Sequence, residues 1–244
     1  MKVSFFEEFP NKKSAEKLKL INYPTKVYLA APSIKEFNEK KKLFSSKYVK
    51  QIIYWPIVKE SYWLSPFTDR KVLLRVMNEC ENMQFMWDAE IPKKRRLVVT
   101  NLCSFFKNKK LIYDYFKQHE KTIYTAEYFP EKGIAEKFLE FLGLMFKPTK
   151  FNNKVIKMVY SSMHDFGEHF IKKEVKKGVE MYGDKFMVGL GTIAKGVKGD
   201  EPLLSLKLLK RDLEICKNNN VNEVVIFRLN GLNEKYNNVI KKFI

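Results

Sequence analysis

Short apolar runs of strand length alternate along the chain with amphipathic stretches of helical length. The runs are rich in Val, Ile, Phe and Tyr, which suit the buried surface of a sheet. Eight of them predict strands: Lys2–Glu8, Lys26–Ala31, Lys50–Ile57, Gln84–Glu90, Lys121–Tyr128, Lys154–Tyr160, Lys185–Leu190 and Asn222–Leu229. Because strands that alternate with helices form parallel sheets, the pattern predicts an α/β fold.

Three of the intervening stretches carry helix signals. Ile34–Lys47 follows Ser33, a residue type that caps helix N-termini. Phe67–Cys80 has apolar residues at helical spacing, and Leu203–Asn218 has them after a start signal at Asp200 and Pro202. A chain of 244 residues with about eight βα units has the length of a (β/α)8 TIM-type barrel. We therefore predict a single barrel domain over residues 1–244.

A doubly wound open sheet is the alternative architecture. Such sheets usually have a glycine-rich turn after the first strand. Here the first strand runs into Glu7-Glu8-Phe9-Pro10, which contains no glycine. The sequence also has no internal repeat beyond the βα rhythm and no linker-like segment, so a closed barrel is the favoured interpretation.

The chain is strongly basic, which raises the question of nucleic-acid binding. Lys and Arg number 46 and Asp and Glu 28, which gives a net charge of +18. A nucleic-acid footprint concentrates basic residues on one face, but here they follow nearly every predicted helix, so we expect Lys40, Lys173 and Lys177 to be exposed and dispersed. Surfaces rich in Lys and Glu are also typical of hyperthermophile proteins. A non-enzymatic nucleic-acid-binding module stays as a further alternative.

The cysteines and the apolar segments bear on the cellular setting. Cys80, Cys103 and Cys216 are scattered and show no CxxC spacing, which predicts neither a disulfide framework nor a structural zinc site. The sequence has no apolar run long enough to span a membrane, and its first residues lack the apolar core of a signal peptide. We expect a cytoplasmic protein with no membrane partner.

Histidine spacing gives no support for a metal site. His164 and His169 are five residues apart, which differs from the four-residue spacing of a zincin helix. His119 falls in a predicted helix rich in Lys and Glu, where we expect it to be solvated. The sequence predicts no bound metal and no cofactor.

Carboxylates stand at the ends of several predicted strands. In barrels of this type, active-site residues come from the carboxyl ends of the strands. Asp88 and Glu90 are two residues apart on the fourth strand, so they share one face with Cα atoms about 6.5 Å apart, while Phe85 and Trp87 face the helices. Two carboxylates this close repel, so at least one pKa should be raised, as a general acid at neutral pH requires.

The residues around this pair resemble a known family. Asp88-Ala89-Glu90-Ile91-Pro92 is similar to the end of the fourth strand in family 18 glycoside hydrolases, the chitinase-like barrels, whose signature there is DxxDxDxE. Met158-Val159-Tyr160 resembles the Met-x-Tyr of that family's sixth strand. The resemblance implies that Glu90 is the general acid, that Asp88 positions a substrate N-acetyl group, and that Tyr160 supports the intermediate.

The chain departs from the family pattern at four places. The earlier acids of the signature are Met83 and Met86 here, and the Asp that follows the sixth-strand Tyr is Ser161. The Trp of the family's last strand is absent, where this chain has Phe227 and Arg228. Because these acids are missing, catalysis assisted by the substrate N-acetyl group is the least supported part of the resemblance.

Other residues at the predicted strand ends suit a carbohydrate or another small molecule. Three aromatic rings near the loop after strand three could stack on sugar rings, and carboxylates and amides could bind hydroxyls. The predicted substrate-binding residues are Glu7, Glu8, Trp55, Glu60, Tyr62, Trp63, Glu127, Arg228 and Asn230.

The segment after strand seven supports an alternative function. It is rich in glycine and lysine, and barrels often bind phosphate in the loops after strands seven and eight. Backbone N–H groups of such loops bind anions. The alternative is thus an isomerase- or lyase-type barrel for a phosphorylated metabolite, with a phosphate site at Gly189, Gly191, Thr192 and Lys195.

Overall fold

The chain folds as a (β/α)8 barrel. The computed structural model describes residues 1–94, 96–129 and 133–244. Eight parallel strands pair in chain order, and the last pairs with the first, so the sheet closes on itself. The predicted barrel is therefore confirmed, and the open-sheet alternative is wrong. The strands are β1 (Lys2–Glu7), β2 (Thr25–Ala31), β3 (Val49–Pro56), β4 (Phe85–Asp88), β5 (Ile123–Tyr128), β6 (Asn153–Met158), β7 (Phe186–Gly191) and β8 (Glu223–Phe227).

Helices separate the strands along the chain. Those in the described residues are α1 (Lys12–Glu16), α2 (Ile34–Lys41), α3 (Arg70–Cys80), α4 (Arg96–Thr100), α5 (Phe105–Gln118), α6 (Gly133–Phe141), α7 (Glu168–Tyr182), α8 (Leu206–Asn218) and α9 (Glu234–Ile240). Among the same residues, no helix has the length and the apolar content that crossing a membrane would require.

Two groups of segments form separate compact units. The first unit comprises residues 1–30, 38–53 and 156–244. The second unit comprises residues 31–37 and 54–155.

The strands are shorter at some ends than the sequence predicts. β4 stops at Asp88 because the N–H of Glu90 bonds back to the carbonyl of Asp88, at 3.2 Å. β6 stops at Met158, and the N–H of Ser161 bonds back to the carbonyl of Val159, at 2.8 Å. Glu90 and Tyr160 therefore lie in the loops that follow their strands, not on the strands themselves.

Side-chain caps decide where the predicted helices begin. The hydroxyl of Ser33 accepts the Glu36 N–H at 3.3 Å, as its residue type predicts. The Asp69 carboxylate accepts the N–H of Lys71 at 2.8 Å, so α3 starts at Arg70 and not at Phe67. Ser205 caps α8, so the start signal predicted at Asp200 and Pro202 is wrong.

In the first unit, the strands carry a cluster of aromatic rings and, closer to their amino ends, a group of polar side chains. Phe6 of β1 contacts the rings of Tyr28 at 5.5 Å and Phe227 at 6.3 Å between centroids. Nearer the amino ends of the strands, Glu223 accepts the Ser4 hydroxyl at 2.6 Å and pairs with Lys26 at 2.7 Å. The buried carboxylate of Glu223 is thus bonded on both oxygens, which offsets its loss of hydration.

The second unit packs β4 and β5 against α5. The Trp87 ring lies edge-on to Phe116 at 5.5 Å, and Phe85 contacts Tyr115 at 6.2 Å. These contacts confirm that Phe85 and Trp87 face the helices. Phe116 also stacks on Phe146 at 4.2 Å, which extends the core to the segment that precedes β6.

His119 is not solvated, contrary to the expectation from the sequence. It follows the last residue of α5 and is buried, with its ring edge-on to Phe85 at 5.3 Å. Its Nε2 hydrogen-bonds the carbonyl of Met83 at 3.0 Å. Burial lowers the pKa of His119, so the ring packs as a neutral core residue.

The lysines named in the charge prediction differ in exposure. Lys173 and Lys177 of α7 are exposed as expected, but Lys40 of α2 is only partly exposed. Lys40 stands in the last turn of a helix whose Phe37 is buried, so part of its aliphatic stem is covered.

Gly178 is the point at which α7 touches the sheet, and Gly178→Ala should destabilise the protein. A Cβ at this position would lie 2.2 Å from the ring of Phe186, which is buried at the start of β7. The clash outweighs the gain of about 1 kcal/mol that alanine usually brings to a helix. We expect a loss of about 1–3 kcal/mol in the free energy of unfolding, measured by denaturant titration.

Lys177→Ala is the matched control, because Lys177 is the exposed neighbour on the same helix. Its free energy of unfolding should stay within about 0.5 kcal/mol of the wild type. A Gly178→Ala variant as stable as the control would contradict the close packing of α7 on β7.

Candidate functional site

Asp88 ends β4 on the face opposite the helices. It is buried and pairs in register with Ala126 of β5. Because neighbours along a strand point to opposite faces and Trp87 packs on α5, Asp88 points to the interior side of the sheet. Catalytic residues of barrel enzymes come from the carboxyl ends of the strands, and Asp88 is the last residue of β4.

Glu90 is held by a tyrosine that sequence reasoning missed. The hydroxyl of Tyr128, the last residue of β5, donates to Oε2 of Glu90 at 2.9 Å. Burial raises the pKa of Tyr128, and the nearby Glu90 raises it further. Tyr128 therefore stays protonated as a donor. Its position at the end of the strand next to β4 is the signal that could have found it.

The aromatic residues after β3 form a packed turn. Val58 and Tyr62 exchange backbone hydrogen bonds of 3.0 and 2.8 Å, which leaves Glu60 exposed at the tip. Trp63 is buried and Tyr62 half-buried, with their rings edge-on at 5.4 Å. Trp55, within β3, is buried too. Of these predicted residues, Glu60 and Tyr62 offer side chains to solvent.

Glu127 lies on the helix side of β5. Thr125 pairs with Trp87, which faces α5, and Glu127 is two residues further on the same face. Its Oε1 accepts the N–H of Phe146 at 2.8 Å, and the carboxylate is fully buried. Glu127 thus holds the segment that precedes β6, and the structure does not bring it to the face of Asp88.

Glu7 and Arg228 form a buried ion pair in the first unit. Arg228 Nη1 lies 2.9 Å from Glu7 Oε1, and its Nε donates to the carbonyl of Lys195 at 2.9 Å. The guanidinium also lies over the ring of Phe9, at 4.8 Å. Burial raises the pKa of Glu7, while Arg228 opposes that shift. Arg228 therefore joins β1, β8 and the segment after β7.

Asn230 is fastened to the same carboxylate. Its N–H donates to Glu7 Oε2 at 2.8 Å, while its side-chain Oδ1 is buried and has no hydrogen-bond partner among the described residues.

Tyr160 and Glu8 lie beside Phe227 in the first unit. The Tyr160 ring contacts Phe227 at 5.9 Å. A Cβ on Gly196 would lie 2.9 Å from the Phe227 ring and 3.0 Å from Glu8 Oε2. Gly196, Phe227 and Glu8 are therefore closely packed. Tyr160 belongs to the first unit and Asp88 and Glu90 to the second, so their joint site stays a prediction.

The glycines predicted to bind phosphate are packing residues within β7. A Cβ on Gly191 would lie 3.0 Å from the ring of Tyr160, and one on Gly189 would lie 3.4 Å from Ile156. Thr192 is buried, and its N–H donates to the Ser162 hydroxyl at 2.7 Å. These positions are therefore occupied by contacts within the chain.

The backbone N–H groups after β7 already hold an anion, the carboxylate of Glu201. It accepts the N–H groups of Gly196 at 3.1 Å, Lys198 at 3.1 Å and Gly199 at 2.9 Å. Burial alone would raise the pKa of Glu201, but these donors outweigh it and lower the pKa. The N–H groups of this loop thus bind a side chain of the protein, and they belong to other residues than the four predicted to bind phosphate.

In residues 1–94, 96–129 and 133–244, no three His, Cys, Asp or Glu side chains come together as a metal-binding group.

Comparison with solved structures identifies the class of fold. The chain is similar to a class V chitinase from Pseudomonas fluorescens Pf-5, with 8% identity over 99% of each chain and a TM-score of 0.55. It is also similar to the PgaB (BpsB) glycoside hydrolase domain from Bordetella bronchiseptica, with 10% identity over 95% of this chain and 91% of that one and a TM-score of 0.61. A family 18 chitinase from Pseudoalteromonas aurantia matches over the full length of both chains, with 7% identity and a TM-score of 0.54.

At these identities the likeness concerns the fold alone. The chain is a (β/α)8 barrel of the kind that family 18 chitinases and other glycoside hydrolases have, which confirms the resemblance at that level. No protein-family model matches the sequence, and no curated protein matches it either.

Removing the Glu201 carboxylate should weaken the loop after β7. We expect Glu201→Gln to lower the free energy of unfolding by about 1–3 kcal/mol, because three backbone N–H groups lose a charged acceptor. The folded-state pKa of Glu201 is lowered, so its contribution is present above the ordinary pKa of about 4.3 and is lost as the pH falls through the folded-state value. Denaturant titrations at neutral and acidic pH measure both effects.

Asp200→Asn is the control, since Asp200 is the exposed carboxylate beside Glu201. In addition, inorganic phosphate should stabilise Glu201→Ala and leave the wild type unchanged, because in the variant the N–H groups of Gly196, Lys198 and Gly199 lose their carboxylate acceptor. Equal stabilisation of both proteins by phosphate would mean that the ion binds elsewhere.

Proposed function

We propose that the chain is a glycoside hydrolase in which Glu90 is the general acid. The observation that carries the proposal is the Tyr128 hydroxyl on Glu90 Oε2, beside the end of the strand on which Asp88 points inward. One carboxylate oxygen of Glu90 is thereby fixed by a neutral donor. The other is the one that would carry the proton to a leaving group.

In this proposal, Glu90 protonates the glycosidic oxygen as the bond to the sugar breaks. The carboxylate that remains is stabilised by Tyr128, because a hydrogen bond to a charged acceptor is stronger than one to its neutral form. Tyr128 acts through Glu90 and is a positioning residue. Asp88 and Tyr160 take the roles that the family resemblance implies, orienting the substrate and supporting the intermediate.

The substrate class is proposed from the neighbours and the residues together. The names of the similar structures include chitinases and a glycoside hydrolase domain, which favours a glycan. Tyr62 and Glu60, which belong to the same unit as Glu90, are suitable contacts for sugar rings and hydroxyls. The phosphorylated-metabolite alternative is less favoured, because Glu201 occupies the N–H groups that phosphate would need.

Glu90→Gln should abolish hydrolysis without unfolding the protein. General acid catalysis contributes about 10²–10⁴-fold, so we expect kcat to fall by at least about 100-fold on chito- and cello-oligosaccharides. The loss should be smaller on aryl glycosides with an acidic leaving group, which needs less protonation. Product chromatography and release of 4-nitrophenol measure the two classes of substrate.

Glu81→Gln is the matched control, because Glu81 is an exposed carboxylate in the same unit. Melting curves of both variants establish that the fold is kept. Wild-type activity in Glu90→Gln, or equal losses on both classes of substrate, would contradict the role of Glu90 as an acid.

Tyr128→Phe should lower kcat by about tenfold, the equivalent of one hydrogen bond of about 1.4 kcal/mol. The residual activity should exceed that of Glu90→Gln, since the acid itself is still present. Tyr113→Phe is the control, because its hydroxyl donates to the carbonyl of Glu140, away from the site. A Tyr128→Phe variant that loses stability but keeps its activity per folded molecule would assign Tyr128 a structural role only.

A further inference from the structure

The second unit carries a set of large apolar side chains that face solvent. We call Val99, Leu102, Phe106, Ile134, Phe138 and Phe141 the apolar patch. Their exposed fractions run from 51% for Phe141 to 86% for Ile134. Single exposed apolar residues are common on protein surfaces, but grouped ones mark interaction sites.

Contacts and helix geometry tie the patch together. Ile134, Phe138 and Phe141 recur on one face of α6, at the spacing of successive helical turns. The ring of Phe141 contacts that of Phe106, at the start of α5, at 6.4 Å. Leu102 is one turn before Phe106, so both helices contribute to the same surface.

The two short helices of the patch do not contribute to the core. Neither α4 nor α6 contains a buried residue among those described, although α6 has three large apolar side chains on one face. An amphipathic helix is normally stabilised by burying its apolar face. The large apolar side chains of these helices, Val99 on α4 and Ile134, Phe138 and Phe141 on α6, are instead exposed to solvent.

The exposed charges along the segments of the patch are mostly basic. From Ile91 to Tyr113 the sequence contains no Asp or Glu. The acidic residues of α6, Glu136 and Glu140, pair with Lys147, and Glu140 also pairs with Lys150. Exposed basic residues flank the patch in sequence: Lys93, Lys94, Arg96, Lys107 and Lys137. Lys110 is also exposed, but it pairs with Asp114 at 2.6 Å.

We propose that the apolar patch and its basic rim bind the surface of an anionic lipid bilayer. Aromatic and aliphatic side chains enter the boundary between headgroups and acyl chains, while Lys and Arg attract acidic headgroups. This differs from the expectation, drawn from the absence of a spanning segment, that no membrane takes part. The binding proposed here is peripheral and needs no spanning helix.

Charge complementarity favours a membrane over a second copy of the chain. Two copies joined through this patch would bring two basic rims together, and like charges at an interface are unfavourable. An acidic bilayer supplies the opposite charge. It also receives exposed apolar side chains without needing a shaped groove. The proposal does not depend on the glycosidase activity.

The test is flotation of the full chain with vesicles of phosphatidylcholine alone or mixed with phosphatidylserine. We expect binding to the mixed vesicles and weak binding to phosphatidylcholine. Phe106→Ser with Phe138→Ser should abolish it. Leu74→Ser with Met181→Ser removes two exposed apolar side chains outside the patch and should have no effect.

A second pair of variants tests the rim. Lys107→Gln with Lys137→Gln should weaken binding to the mixed vesicles by about fivefold per lysine. Lys172→Gln with Lys173→Gln makes the same change in net charge on exposed positions of α7 and should leave binding unchanged. Melting curves establish that each variant is folded.

Three results would overturn the proposal. Equal losses from both lysine pairs would mean general attraction by the +18 charge. A dimer in sedimentation that Phe106→Ser with Phe138→Ser converts to monomer, without vesicle binding, would assign the patch to a second copy. Binding to single-stranded nucleic acid but not to vesicles, sensitive to the same rim lysines, would assign it to a polynucleotide.

Discussion

Pairing of the first strand with the last is the constraint on which the rest of the molecule depends. β1 and β8 run in register from Lys2 opposite Glu223 to Phe6 opposite Phe227. This pairing closes the sheet, so no strand is left with an edge of unpaired N–H and carbonyl groups. It also brings the end of β1 beside the end of β8. The Glu7–Arg228 pair and the bond from Asn230 then fasten the loop after β8.

Buried carboxylates organise the loops of this strongly basic chain. Each accepts backbone N–H groups: Glu7 from the segment after β8, Glu127 from the segment before β6, and Glu201 from the segment after β7. A carboxylate has several acceptor positions, so it can satisfy backbone donors that no regular structure pairs. In a chain with 28 acidic and 46 basic residues, part of the acidic complement thus serves the architecture and not the surface.

The proposed acid differs from these carboxylates in its surroundings. Glu7, Glu127 and Glu201 are buried and accept backbone N–H groups, whereas Glu90 is half-buried and accepts a tyrosine hydroxyl. A carboxylate that holds backbone donors cannot exchange its proton without losing loop structure. Glu90 instead accepts the Tyr128 hydroxyl at 2.9 Å, so a side chain of the neighbouring strand positions the proposed acid.

The positions of the strands follow from the sequence because eight apolar runs must be buried, and a closed parallel sheet buries them all. The direction of the side chains at the strand ends was decided by the tertiary structure. A difference of one residue reverses the face of a strand residue, so Glu127 and Asp88, both near strand ends, point to opposite sides of the sheet. Likewise, a loop rich in glycine predicts free N–H donors, but only the folded chain places Glu201 against them. The partner of Glu90 was also beyond sequence reasoning, because Tyr128 is 38 residues away and meets it only when β4 and β5 lie side by side.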